Sequence, residues 1–310
     1  MKGMLMTTLD PKKRMLADFS LLIVALLWGG GFVAVKDGLN GFTPMYLMAF
    51  RFIIAFFFVF LAFFPYLKNT TKAELKGGAV IGLFLFLAFA TQTIGLQYTT
   101  ASKQGFLTAT YVVMVPFLYW LIHRKRPSTK VFFASFLTLT GLGIIGLDTA
   151  LSLNGGDLLT LVCAFFFASH ILSIERFAGT VDVRKLSVIQ MGVACVLFLF
   201  SAWIFEPAPD LASVSLGHWG SVVYLGIFST FICFSIQTIA QKFTTSSHAS
   251  IIMSFESVFA AVLGVVLLSE PMTSSILIGS SFIFGSILLV EIRLPDRNRF
   301  LRALKNDSSV

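Results

Sequence analysis

Residues 92–102 of this chain read QTIGLQYTTAS, and residues 237–247, which lie 145 positions further along, read QTIAQKFTTSS. Both copies keep the Gln-Thr-Ile triplet, the Thr-Thr pair and a final Ser at the same spacing. A recurrence of this kind indicates an internal duplication. Each copy lies at the end of an apolar run that is long enough to cross a bilayer, so the duplicated unit is predicted to be a bundle of membrane helices.

Composition places this chain among membrane proteins. Its 310 residues are 56% hydrophobic and 12% charged, with a mean hydropathy of +0.87, so it has too little polar surface to cover a soluble globule. The 35 Phe residues suit a surface that contacts membrane lipids. The apolar runs have helix length rather than the alternation of barrel strands, which predicts an all-α integral membrane protein. The net charge of +8 does not indicate nucleic acid binding, because the basic residues lie between apolar runs without an interleaved aromatic platform.

Breaks at Gly, Pro and clusters of charge divide the chain into ten predicted transmembrane helices. A first five-helix repeat is predicted over residues 18–147 and a second over residues 156–292, with tails at 1–17 and 293–310. The ten predicted spans are 18–36, 44–65, 76–97, 103–122, 130–147, 156–175, 186–205, 217–240, 246–268 and 272–292.

The basic residues orient these spans. With the N-terminus in the cytoplasm, 20 of the 23 Lys and Arg residues lie on the cytoplasmic side, whereas Lys36 and Lys103 lie on the other side and Arg51 lies inside span 2. The positive-inside rule therefore predicts that both termini are cytoplasmic. Five spans per half make the second repeat enter the membrane upside down: the basic loop 123–127 after span 4 corresponds to the loop 269–271 after span 9, which has no basic residue. Inverted repeats support alternating access to a site near the middle of the bilayer.

The chain resembles the drug/metabolite transporter superfamily, in its ten-helix branch with two EamA-type repeats. The stretches that carry the resemblance are residues 26–32 (LLWGGGF), 99–102 (TTAS) with 115–116 (VP), and 255–258 (FESV) with 269–271 (SEP). The resemblance implies a secondary transporter, commonly an exporter of amino acids or other small metabolites, in the bacterial cytoplasmic (inner) membrane. It implies no cofactor and no metal, and protons are the candidate coupling ion.

Two charged side chains and one tyrosine lie deep in predicted spans. Glu256 lies about ten residues into span 9, or about 15 Å at the helical rise. A charge at that depth costs roughly 2.5–3.5 kcal/mol on insertion scales, so Glu256 should face the interior, where its proton could couple to substrate movement. A protonated or Arg-paired Glu256 that joins helices is the alternative. Arg51 could hold a carboxylate or phosphate through a bidentate fork, pair with a carboxyl group, or extend towards the surface. Tyr111 corresponds to Glu256 in the repeat, and we expect it on the opposite wall of the same cavity.

Four further side chains complete the candidate site. Gln92 and Gln237 are related by the duplication, and their amides could bind the polar ends of a zwitterion or join neighbouring helices. Trp28 precedes the glycine triplet of span 1 and is a candidate cavity wall, while the triplet could permit close packing or act as a hinge. His170 suits a proton relay or, as the alternative, a hydrogen-bonded group of the core.

The leading prediction is a transporter that moves a small polar or amphipathic metabolite through a cavity lined by spans 1, 3, 4, 6, 8 and 9. An exchanger of phosphorylated or nucleotide-linked solutes is the alternative within transport, but it would want several buried basic residues. An enzyme is not expected, because no DxxxD, HExxH or GxSxG pattern occurs. A non-transporting membrane assembly protein stays open, and substrate identity, direction of transport and oligomeric state do not follow from the sequence.

Overall fold

Most of the described chain is helical, because a helix satisfies its own backbone N–H and C=O groups where lipid offers none. The computed structural model describes residues 11–99, 101–146, 154–268 and 273–291, and these contain no strand. The helices are α1 (Pro11–Gly29), α2 (Gly31–Gly38), α3 (Pro44–Phe63), α4 (Lys72–Leu96), α5 (Ala101–Ala109), α6 (Tyr111–His123), α7 (Thr129–Gly146), α8 (Gly155–Ala178), α9 (Val183–Phe205), α10 (Leu216–Tyr224), α11 (Cys233–Ala240), α12 (Ser246–Met253), α13 (Glu256–Leu268) and α14 (Ser274–Glu291), with a 3₁₀ turn at Phe64–Tyr66 and a π-helical segment at Leu225–Ile232.

These helices assemble into ten membrane spans. α3, α4, α7, α8, α9 and α14 each form one span, and the other four spans are built from shorter pieces. The composite spans are α1 with α2, α5 with α6, α10 and α11 joined by the π-helical segment, and α12 with α13. Seven described segments are long and apolar enough to cross a membrane, and residues 129–144 and 277–289 form shorter apolar helices. The predicted fold class, an all-α integral membrane protein of ten helices in two halves, is confirmed.

Hydrogen bonds at the helix ends show that the two halves run in opposite directions. The carboxylate of Glu206, directly after α9, accepts hydrogen bonds from the backbone N–H groups of Met45 (2.9 Å) and Tyr46 (3.1 Å) at the start of α3. Lys185, at the start of α9, donates to Glu74 at the start of α4 over 3.1 Å. α3 and α9 are the second spans of their halves and are antiparallel, so the second half is inverted relative to the first.

Close helix crossings join the halves. α4 packs against α8 and α9, and α3 packs against α9. Where α4 crosses α8, a Cβ added to Gly156 would lie 2.6 Å from the carbonyl oxygen of Gly95, and a Cβ on Gly95 would lie 2.9 Å from that of Gly156. A side chain at either position would force the backbones apart, which explains why small residues occupy this crossing.

The helix boundaries differ from the sequence prediction at the N-terminus. α1 begins at Pro11, seven residues before the predicted span, because proline suits the first turn of a helix and the basic residues 12–14 are themselves helix formers. The predicted tail 293–310, residues 1–10 of the other tail and the loop 269–271 lie outside the described residues, as does Thr100 of the repeated motif.

Three spans are interrupted near their middles. The span formed by α1 and α2 breaks at Gly30, inside the glycine triplet. The other two breaks, at Thr110 and at residues 254–255, occupy equivalent positions in the two repeats. Consequently Tyr111 and Glu256 are each the first residue of a second half-helix, a position that discontinuous helices use for binding sites in transporters.

Large apolar side chains cover the outside of the bundle. Trp203 and Phe205 of α9 are 75% and 77% exposed, and Phe57 of α3 is 55% exposed. Exposure of such a surface to water is unfavourable, whereas lipid tails solvate it. These faces are therefore the ones that contact the membrane.

Candidate functional site

A cavity between the two halves gathers six of the seven predicted site residues. The empty space between its walls, including the part that is open to solvent, is about 570 Å³. Residues on its walls include Trp28, Arg51, Gln92, Tyr111, Gln237 and Glu256. All six spans that were expected to line it contribute residues, and α3 adds Arg51.

Six of the sixteen described residues that line the cavity are aromatic. The rings of Phe89 and Phe167 lie 5.2 Å apart, Phe89 lies 5.7 Å from Phe234, and Phe234 lies 5.1 Å from Trp28. Phe32 continues this surface. A predominantly apolar wall with a few convergent polar groups is the usual composition of a site for a small organic molecule.

Arg51 is the buried cation of this cavity. Its Nε donates to the hydroxyl of Thr230 (2.5 Å), one of its terminal nitrogens donates to the hydroxyl of Ser229 (3.2 Å), and its guanidinium carbon lies 4.2 Å from the centre of the Phe89 ring. None of the ion pairs among the described residues involves Arg51, so Glu256 does not neutralise it. A guanidinium has five N–H donors, and the two hydroxyls leave donors for a ligand.

The π-helical segment Leu225–Ile232 supplies both of these hydroxyls. Its i→i+5 hydrogen bonds widen the helix, and segments of this kind occur frequently at functional sites. Here the consecutive residues Ser229 and Thr230 both reach Arg51, while the carbonyl oxygen of Ser229 accepts a hydrogen bond from the indole N–H of Trp28 over 2.8 Å. The segment therefore connects the cavity cation to the break in the first span.

Glu256 and Tyr111 meet in the cavity wall. The hydroxyl of Tyr111 donates to Glu256 Oε1 over 3.4 Å, and both side chains are buried. The expectation that Tyr111 lies on the opposite wall was wrong. These two residues are equivalent in the repeats, and each begins the second part of an interrupted span, α6 and α13 respectively.

The two duplicated glutamines have different surroundings. Gln92 donates from Nε2 to the hydroxyl of Thr108 over 3.2 Å, and its main-chain oxygen accepts a hydrogen bond from Gln104 Nε2. Gln237 is buried, and its Oε1 accepts no hydrogen bond from the described residues.

Sequence reasoning missed four polar residues of this region: Gln104, Thr108, Ser229 and Thr230. A usable signal existed for the first two, because Gln104 and Thr108 precede Tyr111 by seven and three residues and so share its helix face. We find no sequence signal for Ser229 and Thr230, whose positions depend on the π-helical segment.

His170 lies outside the cavity. It is fully buried, with its Nε2 3.1 Å from Gln190 Oε1, and Gln190 in turn donates to the hydroxyl of Thr238 over 2.9 Å. This chain of hydrogen bonds joins α8, α9 and α11, which fits the core alternative rather than a relay through the cavity. Among the described residues, no group of three His, Cys, Asp or Glu side chains is placed to hold a metal ion.

Two contacts join helices at the end of the bundle where α1 begins. Asp18 Oδ1 of α1 lies 3.4 Å from His248 Nε2 of α12, and the carboxylate of Glu175 accepts a hydrogen bond from the backbone N–H of Ser246 over 2.9 Å. None of these four residues lines the cavity, whose walls reach Val35 on the side of the opposite end.

Known proteins share this fold and sequence pattern. The chain matches the EamA-like transporter family over residues 15–147 and 154–292. It is similar to an uncharacterized transporter of Archaeoglobus fulgidus, with 33% identity over 288 residues that cover 91% of this chain and 88% of that protein. The uncharacterized transporter YoaV of Bacillus subtilis is 24% identical over 279 residues, covering 87% of this chain and 94% of that protein. A solved structure described as "Crystal structure of protein" shares the fold, with a TM-score of 0.75 at 18% identity over 91% of this chain and 97% of that one.

Proposed function

This chain belongs to the EamA-like transporter family and is a multi-pass membrane transporter, and we propose that it exports small amphipathic metabolites such as amino acids across the cytoplasmic membrane. Its central cavity serves as the binding site in an alternating-access cycle, and protons are the coupling ion. Export is the direction implied by the resemblance to the drug/metabolite transporter superfamily.

The proposed substrate class rests on the surroundings of Arg51. A buried guanidinium without a carboxylate partner among the described residues is unfavourable in a low-dielectric interior unless a ligand neutralises it. A substrate carboxylate can accept the remaining donors in a bidentate pair. The ring of Phe89 beside Arg51, and the ring of Phe234 that lies 5.7 Å from Phe89, would receive the apolar part of the same molecule.

A phosphorylated substrate fits this cavity less well. A phosphate monoester carries about −1.5 to −2 charges at neutral pH, which calls for more than one cation. Among the described residues that line the cavity, Arg51 is the only Lys or Arg. One guanidinium matches one carboxylate, so we favour a carboxylic acid over a phosphorylated or nucleotide-linked solute.

Glu256 is the proposed proton carrier. It lies in the same cavity wall as Arg51 without forming an ion pair with it, and Tyr111 donates a hydrogen bond to it. Burial disfavours the charged carboxylate. Access to one side of the membrane and then to the other would therefore let Glu256 take up and release a proton during the cycle.

We infer that this conformation is an outward-facing state. The positive-inside rule predicts that α1 begins in the cytoplasm, and the contact between Asp18 and His248 joins α1 to α12 at that end. Exchange of conformations between the inverted halves would open this end and close the other.

Efflux from proteoliposomes tests the proposal. Purified protein is reconstituted into vesicles loaded with labelled L-phenylalanine or L-leucine, and efflux is followed with and without a pH gradient. We expect protein-dependent efflux that the gradient accelerates and that Arg51→Met abolishes. Efflux no faster than from protein-free vesicles for the whole set of proteinogenic amino acids would contradict the proposed substrate class.

A further inference from the structure

We propose that the amide oxygens of Gln104 and Gln237 form an acceptor subsite in the cavity, which binds the amino group of the transported substrate. The inference rests on the proposed function and deepens it. Arg51 would bind the carboxylate of an amino acid. Gln104 and Gln237 would bind its amino group, so that the substrate must also carry an N–H donor.

The orientation of the Gln104 amide is fixed by its own hydrogen bond. Its side chain is fully buried, and its Nε2 donates to the main-chain oxygen of Gln92 over 2.5 Å. That oxygen can only accept, so the amide cannot be flipped. Gln104 Oε1 is consequently left as a buried acceptor that receives no hydrogen bond from the described residues, in a side chain that lines the cavity.

Gln237 adds a second amide from the other half of the molecule, and no hydrogen bond to the described residues fixes which way this amide is turned. It is 1% exposed, it lines the cavity, and its Oε1 also accepts no hydrogen bond from the described residues. Buried carbonyl oxygens without a donor are unfavourable, and they are rare in folded proteins. Two of them on one cavity, one on α5 and one on α11, indicate a ligand that brings donors.

An ammonium group is the donor that best fits this subsite. It carries three N–H donors and a positive charge, and Glu256 in the same cavity wall adds a carboxyl oxygen as a further acceptor beside the two neutral amides. Arg51 supplies donors for an anion, whereas Gln104 and Gln237 supply acceptors for a cation. A zwitterion offers both complements at once, while a simple carboxylic acid offers only one.

Gln241 is a natural control for this subsite. Its Nε2 donates to the main-chain oxygen of Ile171 over 3.1 Å, its Oε1 is buried and accepts no hydrogen bond from the described residues, and it is 1% exposed. Gln241 is not among the residues that line the cavity. Its replacement removes the same groups as replacement of Gln104, and the hydrogen bond of its side chain to the cavity wall is to the main-chain oxygen of Ile171.

The test measures dissociation constants of four small molecules by ligand-induced thermal stabilisation of the purified protein. L-phenylalanine carries both charged groups, 3-phenylpropionate lacks the amine, 2-phenylethylamine lacks the carboxylate, and 2-phenylethanol lacks both. We expect the wild type to prefer phenylalanine to phenylpropionate. Gln104→Leu and Gln237→Leu should each weaken phenylalanine binding about tenfold, the usual effect of one lost hydrogen bond to a charged group, and leave phenylpropionate binding unchanged. Gln241→Leu should preserve the wild-type preference.

Each outcome decides the proposal. A wild-type preference for phenylalanine that persists in Gln104→Leu and Gln237→Leu overturns the subsite. If Gln104→Leu does not fold, Gln237→Leu decides alone, since its amide oxygen gives up no hydrogen bond to the described residues. If the wild type binds neither phenylalanine nor phenylpropionate, the carboxylate site of the proposed function is refuted. The subsite is then tested by comparing the dissociation constants of phenylethylamine and phenylethanol. Equal binding of that pair, or no binding of any of the four, overturns it.

Discussion

Replacing Arg51 with Met removes the cation of the cavity and keeps a side chain of similar length. Of the donors on the guanidinium, one bonds Thr230 and one bonds Ser229, so a bidentate pair of donors remains for a substrate carboxylate. Hydrogen bonds to charged groups contribute about 1.5–3 kcal/mol each. Two bonds at the lower value amount to about 3 kcal/mol, which weakens the dissociation constant by about 150-fold.

Thermal stabilisation by ligand reports this loss directly. At a ligand concentration of 100 times the wild-type dissociation constant, the wild type gains about 2.7 kcal/mol and Arg51→Met should gain only about 0.3 kcal/mol. The stability of the ligand-free variant should change little, because an apolar side chain in place of a buried charge is often neutral or stabilising.

Arg184→Met is the matched control for this experiment. Arg184 pairs with Asp182 over 2.7 Å and stacks on Tyr66 at the start of α9, away from the cavity. It should bind L-phenylalanine and L-leucine as the wild type does. Arg51→Met with wild-type affinity but lower stability without ligand would refute the ligand role and leave Arg51 as a structural residue.

Four further predictions concern coupling, stability and topology. Glu256→Gln should still fold and bind substrate, but its efflux should no longer respond to a pH gradient; full gradient dependence would remove Glu256 from the coupling mechanism. Glu206→Ala should lower the free energy of unfolding by about 1–2 kcal/mol, because the start of α3 loses the carboxylate that caps it. Denaturation of the purified protein measures this change, and a free energy of unfolding equal to that of the wild type would contradict it. Asp18→Asn should weaken the contact between α1 and α12 and speed hydrogen exchange in α12, and exchange as slow as in the wild type would show that the contact does not hold these helices together. Because the three native cysteines are buried, an impermeant maleimide added to cells should label Ala212→Cys and leave Lys68→Cys unlabelled, and the reverse pattern would place the termini outside.

The spans and the duplication could be predicted because both are properties of short stretches of sequence. Hydropathy marks each span, and the repeated triplets at Gln92 and Gln237 mark the copy. Depth along a span is also a local property, and it predicts that Glu256 faces the interior and that Arg51 lies inside span 2. These features do not require knowledge of which helices are neighbours.

The direction in which each side chain points could not be predicted, because it depends on the rotation of the helix about its axis and on contacts with residues that are distant in sequence. His170 has a depth that suits a relay, but its ring turns to Gln190 on α9 instead of the cavity. The π-helical segment has the same limitation. Residues 225–232 read LGIFSTFI, an ordinary apolar sequence, and it is Arg51 and Trp28 from other spans that bond its polar atoms.

The widened turn of α10 and α11 has no counterpart in α4, although these spans are copies of one ancestor. α4 runs as an uninterrupted helix over Lys72–Leu96, whereas its twin changes winding at Leu225–Ile232. In the proposed alternating-access cycle the two halves exchange conformations, and only one of these two spans carries the unusual winding. We therefore expect the inward-facing and outward-facing states to differ in internal energy, so that the empty protein rests in one of them before any solute or gradient acts on it.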